Sequence, residues 1–245
     1  MEYFLPILFF FVSFFYSSVG LGGGSSYTAI MAIAGINYQL IPTTSLTLNL
    51  GVTFIGMINF WRAGYSRFNL VAPFLITSIP MSYLAGSIQL PELVFQVILT
   101  VTLLLVVSRI YFFDRLDIVY ELSNIQKWLL AIFLGSFLGF IAGAVGIGGG
   151  IYLVPLIIMF GLGSTKEASA AGAIFICSNS FAGLIPRLQL GTYDIKFITP
   201  LVFAVLVGGF AGSYFGSVRF ESKFIQKIMG GVIILAIIFL IQRIV

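Results

Sequence analysis

No histidine occurs in the 245 residues, and cysteine occurs once, at Cys177. The first absence excludes imidazole metal ligands, a histidine general base and Ser-His catalysis. The second excludes an internal disulfide and a cysteine metal cluster. Charge is scarce as well: Asp, Glu, Lys and Arg make up 8% of the chain, against about 25% in a soluble domain. Residues 3–61 and 128–165 carry no charged side chain, and no carboxylate lies near the middle of an apolar run. Proton and cation relays in membranes use such carboxylates, so that class of coupling is disfavoured. An aspartyl protease is excluded because Asp114, Asp117 and Asp194 all fall in loops. No Gly-x-x-x-x-Gly-Lys-Ser/Thr loop is present to hold a nucleotide. Together these absences point away from an enzyme and predict no cofactor and no metal.

What is abundant is apolar: 60% hydrophobic residues, 26 of them Phe. The apolar runs last 17 residues or more, the length of membrane helices, whereas barrel strands are alternating segments of about ten. The chain therefore reads as an all-α polytopic membrane protein. Its formal charge of +4 sits at segment ends, as the positive-inside rule requires, and is not a nucleic-acid signal. Met1-Glu2-Tyr3 lacks the basic region of a signal peptide, so the first apolar run is expected to be a membrane segment. Membrane lipid is then an obligatory partner. A homodimer is as compatible with this composition as a monomer.

Within these runs, glycine is concentrated at Gly20-Leu21-Gly22-Gly23-Gly24 and, 126 positions later, at Gly146-Ile147-Gly148-Gly149-Gly150. Each glycine costs a helix about 1 kcal/mol relative to Ala, so each cluster marks a helix break. Apolar segments fall at 3–36, 40–61, 69–90, 92–112, 128–163, 168–187, 197–218 and 224–242. This gives a first transmembrane repeat at 1–112, a polar linker at 113–127 and a second repeat at 128–245. Gly64 matches Gly191, and Ala85-Gly86-Ser87 matches Phe215-Gly216-Ser217, at similar offsets. A straight helix over 3–36 would be roughly 50 Å long at 1.5 Å per residue, against a hydrocarbon core of about 30 Å. A hairpin fits better: a helix over 3–18, a glycine loop inside the membrane, and a half-helix over 25–36. If each hairpin returns to its own side, the repeats are inverted and Lys and Arg divide 9 to 3. If it crosses, they are parallel and divide 8 to 4. The inverted arrangement is favoured and places the linker in the cytoplasm.

The half-helices after the glycines begin with unpaired N–H groups and about half a positive charge. Backbone without Cβ atoms lets an anion approach them closely. Gly22, Gly23, Gly24, Ser25 and Ser26 in the first loop, and Gly148, Gly149 and Gly150 in the second, are thus candidate substrate-binding residues. Ordinary membrane packing motifs space small residues four apart, which is not this pattern. The second segment of each half is polar for its depth. Thr44, Ser45 and Asn49 in one, and Ser178 and Asn179 in the other, are further candidates, with Ser45 and Asn49 on one helix face. Arg62 and Arg187 end these segments, where interfacial snorkelling is the expectation. Cys177 reads as a small packing residue, and Trp61 and Trp128 as members of the aromatic belt. Paired helix breaks at corresponding positions of two halves point to a transporter's binding site. A small-anion transporter is the reading that results, with an anion channel as the alternative.

Val-Gly-Leu-Gly-Gly-Gly (19–24) and Val-Gly-Ile-Gly-Gly-Gly-Ile-Tyr-Leu-Val-Pro (145–155) resemble the paired glycine signatures of the sulfite exporter TauE/SafE family, the TSUP permeases. Gly191-Thr-Tyr-Asp194 and Gly212-Ser-Tyr-Phe-Gly216 resemble two smaller motifs of that family. The first signature departs from the pattern, with Ala29 where the second has Pro155. The resemblance implies transport of small sulfur-containing anions, such as sulfite or organosulfonates, across a bacterial inner membrane.

Overall fold

The computed structural model describes residues 4–112, 123–218 and, in the last segment, 231, 233, 234, 237, 238 and 240–242. The regular structure among the described residues is α-helical: α1 (Leu5–Ser17), α2 (Gly24–Ile33), α3 (Leu40–Arg62), α4 (Phe68–Gly86), α5 (Glu92–Phe112), α6 (Asn124–Val145), α7 (Gly150–Met159), α8 (Thr165–Gln189) and α9 (Ile195–Val218). Five of the described helices are long and apolar enough to cross a membrane. Large apolar side chains such as Ile7, Phe11, Ile76, Phe133, Phe203 and Phe210 point outward, the surface a protein offers to lipid rather than to water.

Helix breaks fall where the glycines predict them. α1 and α2 are 13 and 10 residues long, about 20 and 15 Å at 1.5 Å per residue, so neither alone spans a bilayer. The start of α6 falls within the expected linker. A capping box closes at Ser123, whose Oγ accepts from the Gln126 N–H while the Gln126 side chain accepts from the Ser123 N–H. Asn124–Lys127 therefore belong to α6, and most of the expected linker (113–122) lies outside the described residues, as does much of 224–242.

Close contacts fix the helix directions. Ser13 donates to the Val205 carbonyl at 2.6 Å, and a Cβ on Gly208 or Gly212 would fall 2.3 or 2.0 Å from the carbonyls of Phe10 or Phe14. α1 and α9 thus run parallel. In the same way Gly135, Gly139 and Gly143 of α6 lie on the carbonyls of Phe74, Ser78 and Ser82 of α4. This is a stripe of small residues four apart, the packing motif of membrane helices, and α4 and α6 are parallel. Ser82 donates to the Asn179 carbonyl and Gly86 faces that of Gly183, so α8 runs with them. Gly51 against Leu206, and Asn59 donating to Ser213 at 2.7 Å, align α3 with α9. α3 and α8 cross at the centre in opposite senses, with Leu46 near Gly183 and Gly56 near Ala173.

α1, α3 and α9 therefore point one way, and α4, α6 and α8 the other. Since α3 runs with α1 and follows α2 after a short connection, α2 must return to the side from which α1 started. The same holds for α6, α7 and α8. Both glycine-broken segments are hairpins that turn back inside the bundle, and they enter it from opposite sides.

Candidate functional site

Gly23 and Gly149 are the N-cap residues of α2 and α7, at φ 89° and 71°, and no side chain caps either helix. A left-handed N-cap favours glycine for its backbone, and it leaves the first-turn N–H groups without the usual Ser, Thr or Asp acceptor. These two uncapped helix starts come together. A Cβ on Gly24 would lie 2.7 and 2.9 Å from the carbonyls of Ile147 and Gly146, so the hairpin tips touch backbone to backbone.

Asn49 of α3 fills the crossing. Cβ atoms on Gly22 and Gly24 would fall 2.5 Å from its Oδ1 and 2.3 Å from its Nδ2, and one on Gly148 would fall 3.1 Å from Nδ2. Three glycines from two loops therefore wrap one amide. Nδ2 donates to the Gly146 carbonyl at 3.2 Å. Ser45, one turn earlier on the same face, donates to that carbonyl at 2.7 Å and lies 3.4 Å from the Gly24 carbonyl. Asn49 is fully buried, yet its Oδ1 has no partner, and neither does Thr44 Oγ1. An unpaired buried polar atom costs about 1–3 kcal/mol, so such atoms mark places where a water or ligand belongs.

The remaining candidates are distributed differently from the sequence reading. Ser25 and Ser26 are buried, but both hydroxyls lie 2.9 Å from the Tyr16 hydroxyl, which ties α2 to α1. Asn179 is no counterpart of Asn49. Its Nδ2 donates to Phe175 of its own helix at 2.9 Å, and its Oδ1 is unpartnered. The residue that does at the second loop what Asn49 does at the first is Ile176, 2.7 Å from a Cβ on Gly148 and 2.5 Å from one on Gly150. Ser178 is half-buried and is not among the side chains found at the two glycine loops. Polar groups thus gather on the α2 side of the crossing, while the α7 side is lined by Ile176 and Phe175.

Arg187 overturns its expectation. It is 5% exposed and does not snorkel. Its Nε and Nη2 donate to the Gly143 carbonyl at 3.2 and 2.9 Å, and Nη2 to Ala144 at 2.8 Å, at the last turn of α6. A cation there satisfies orphan carbonyls and complements the negative helix end. The sequence showed the charge but not the partner, because α6 lies about 44 residues away. Arg62, Trp61 and Trp128 are exposed, as membrane-surface residues should be. Tyr16 and Ile176 were missed because a Tyr or Ile in an apolar run carries no signal of its own.

The fold thus defines a multi-pass integral membrane protein with two glycine-tipped re-entrant hairpins meeting at a buried polar centre. The sequence profile of the family described as "Sulfite exporter TauE/SafE" matches residues 5–240, and the chain belongs to that family. It is similar to "Probable membrane transporter protein y4hK" of Sinorhizobium fredii, 33% identical over 229 residues covering 92% of each chain. It is also similar to "Probable membrane transporter protein YjnA" of Bacillus subtilis, 25% identical over 232 residues, covering 89% of this chain and 91% of that one. No solved structure matches it.

Proposed function

We propose that this chain is a secondary transporter of small anions, sulfur-containing ones such as sulfite or organosulfonates, in a bacterial inner membrane. The observation that carries the reading is the meeting of two uncapped helix N-termini at Asn49, where no carboxylate is found among the described contacts. Two half-helix starts present donors and about half a positive charge each, and the second N–H of the Asn49 amide, the first being held by the Gly146 carbonyl, adds one further donor. The substrate site in this reading comprises Gly22–Ser26, Thr44, Ser45, Asn49 and Gly148–Gly150, with Ser178 and Asn179 as outlying members.

Residues 1–112 and 128–245 act as two inverted repeats. Support comes from helix directions, since α1 runs opposite to α6, α3 to α8 and α4 to α9. It also comes from matched contacts 126 or 127 positions apart: Ser13 on Val205 and Gly139 on Ser78. The hairpin tips touch backbone to backbone through Gly24 and the Gly146 and Ile147 carbonyls. They can therefore slide past one another as one repeat moves against the other. Asn49 and Gly22–Ser26 are buried from both sides, which favours alternating access over an open channel.

The test is uptake of labelled sulfite, thiosulfate, taurine and sulfoacetate into proteoliposomes. Saturable flux of at least one of them is expected, and it is lost in Gly149→Val. Absence of flux for the whole panel, or unitary currents in a planar bilayer, would overturn the reading.

A further inference from the structure

Beneath the tip of the second hairpin lies a cavity of about 20 Å³ whose lining includes Gln39, Gln89, Ala144 and Arg187. That is room for a water-sized particle. Arg187 forms its floor, and the exposed side chains of Gln39 and Gln89 form its mouth. Two of the three guanidinium nitrogens are engaged by α6 carbonyls; Nη1 bonds to none of the described residues. No described carboxylate pairs with Arg187. Among the described residues the sole ion pair is Arg67–Glu167, which joins the other ends of the helices. Two acidic groups lie near the mouth in sequence. Glu92 accepts from Gln96 and Asp194 accepts from the Phe197 N–H. Neither carboxylate lines the cavity, so Arg187 is the one charged side chain among its lining residues, against about half a negative charge from the end of α6.

We propose that this cavity is an anion-binding vestibule, with the free edge of Arg187 as its recognition group for a sulfonate or similar oxyanion, and that it serves one face of the protein only. Phe60 stands 127 positions before Arg187 and is fully buried, so the corresponding place on the opposite face holds an aromatic ring. The charge distribution assigns the Arg187 face to the outside, since the 9-to-3 division leaves it the poorer in Lys and Arg. The vestibule lies against the last turn of α6, next to Gly146, the carbonyl that Asn49 and Ser45 share. An anion held there stands one helical turn from the hairpin tip. Gln39 and Gln89 are exposed and can swing aside to widen the mouth. The biological purpose rests on the anion-transport reading; the binding itself does not.

The experiment places a cysteine at the mouth, Gln89→Cys in a Cys177→Ala background, in proteoliposomes. It measures the rate of modification by an anionic and a cationic membrane-impermeant methanethiosulfonate, each normalised to a free thiol. The anionic reagent is expected to react about tenfold faster by electrostatic focusing. Sulfoacetate is expected to slow both reagents, and Arg187→Lys to retain the charge preference while Arg187→Met removes it. Should Arg187→Met fail to fold, raised ionic strength in the Gln89→Cys protein serves instead, because screening must erase the preference. Equal normalised rates, a preference that survives both Arg187→Met and high salt, or no protection by sulfoacetate would each overturn the proposal. Failure of labelled flux with the charge preference intact would overturn the transport reading alone.

Discussion

At Asn49 a single amide touches both glycine loops with Oδ1 left unpaired, while Ile176 takes the matching place at the second loop. This difference separates a structural role from a binding role. If Asn49 served only to hold the tips together, an apolar replacement would loosen the bundle. Because Ser45 also bonds the Gly146 carbonyl, Asn49→Leu leaves that acceptor satisfied and removes an orphan atom. Its unfolding midpoint in detergent is expected to stay near that of the parent, while flux falls at least about tenfold, the equivalent of roughly 1.4 kcal/mol of lost anion binding. A large drop in midpoint with flux retained would assign Asn49 to packing. Gly24 tests the opposite case. A Cβ there meets backbone carbonyls at 2.7 and 2.9 Å, which cannot rotate away. Gly24→Ala should cost about 1–3 kcal/mol in stability and abolish flux, by thermal unfolding and uptake respectively.

Glycines do two different jobs in the helices. In α6, Gly135, Gly139 and Gly143 stand four apart and admit the α4 backbone; in the clusters they end one helix and start another. The difference is readable in the spacing, and the clusters place the ends of α1 and α2 and the start of α7 within a few residues. The α6 stripe is equally plain in the sequence, but small residues four apart name no partner. Gly139→Ala should push α6 from α4 and lower stability by about 1–3 kcal/mol. Gly64→Ala meets nothing within 4 Å and suffers only its φ of 81°, a left-handed strain of about 1–2 kcal/mol. Thermal unfolding of the two proteins should rank Gly139→Ala as the worse. The reverse order would mean that the α4–α6 contact is looser than described.

At the scale of the whole molecule, the proposed inverted arrangement of the halves is open to test. It requires Arg67, which precedes α4, and Glu167, which begins α8, to share one face, and they meet at 3.1 Å. On the other face Thr43 and Thr192 meet at 3.1 Å. A double substitution, Arg67→Cys with Glu167→Cys, should form a disulfide under mild oxidation in the Cys177→Ala background. Cysteines at Lys166 and Gly191 should label from opposite sides of intact vesicles. Labelling of both from one side would overturn the inverted arrangement.

The sequence by itself determined the class of protein, the number of helix breaks and their positions, and the polar character of α3. These are local consequences of hydropathy, glycine conformation and charge, and each is carried by a contiguous stretch of chain. The tertiary structure alone decided that Asn49 and not Asn179 serves the crossing, that Ser25 and Ser26 are taken up by Tyr16, and that Arg187 turns inward to the end of α6. Those outcomes depend on which groups face one another across 9 to 97 residues of separation. Only close helix packing, not the periodicity of any one helix, fixes that choice.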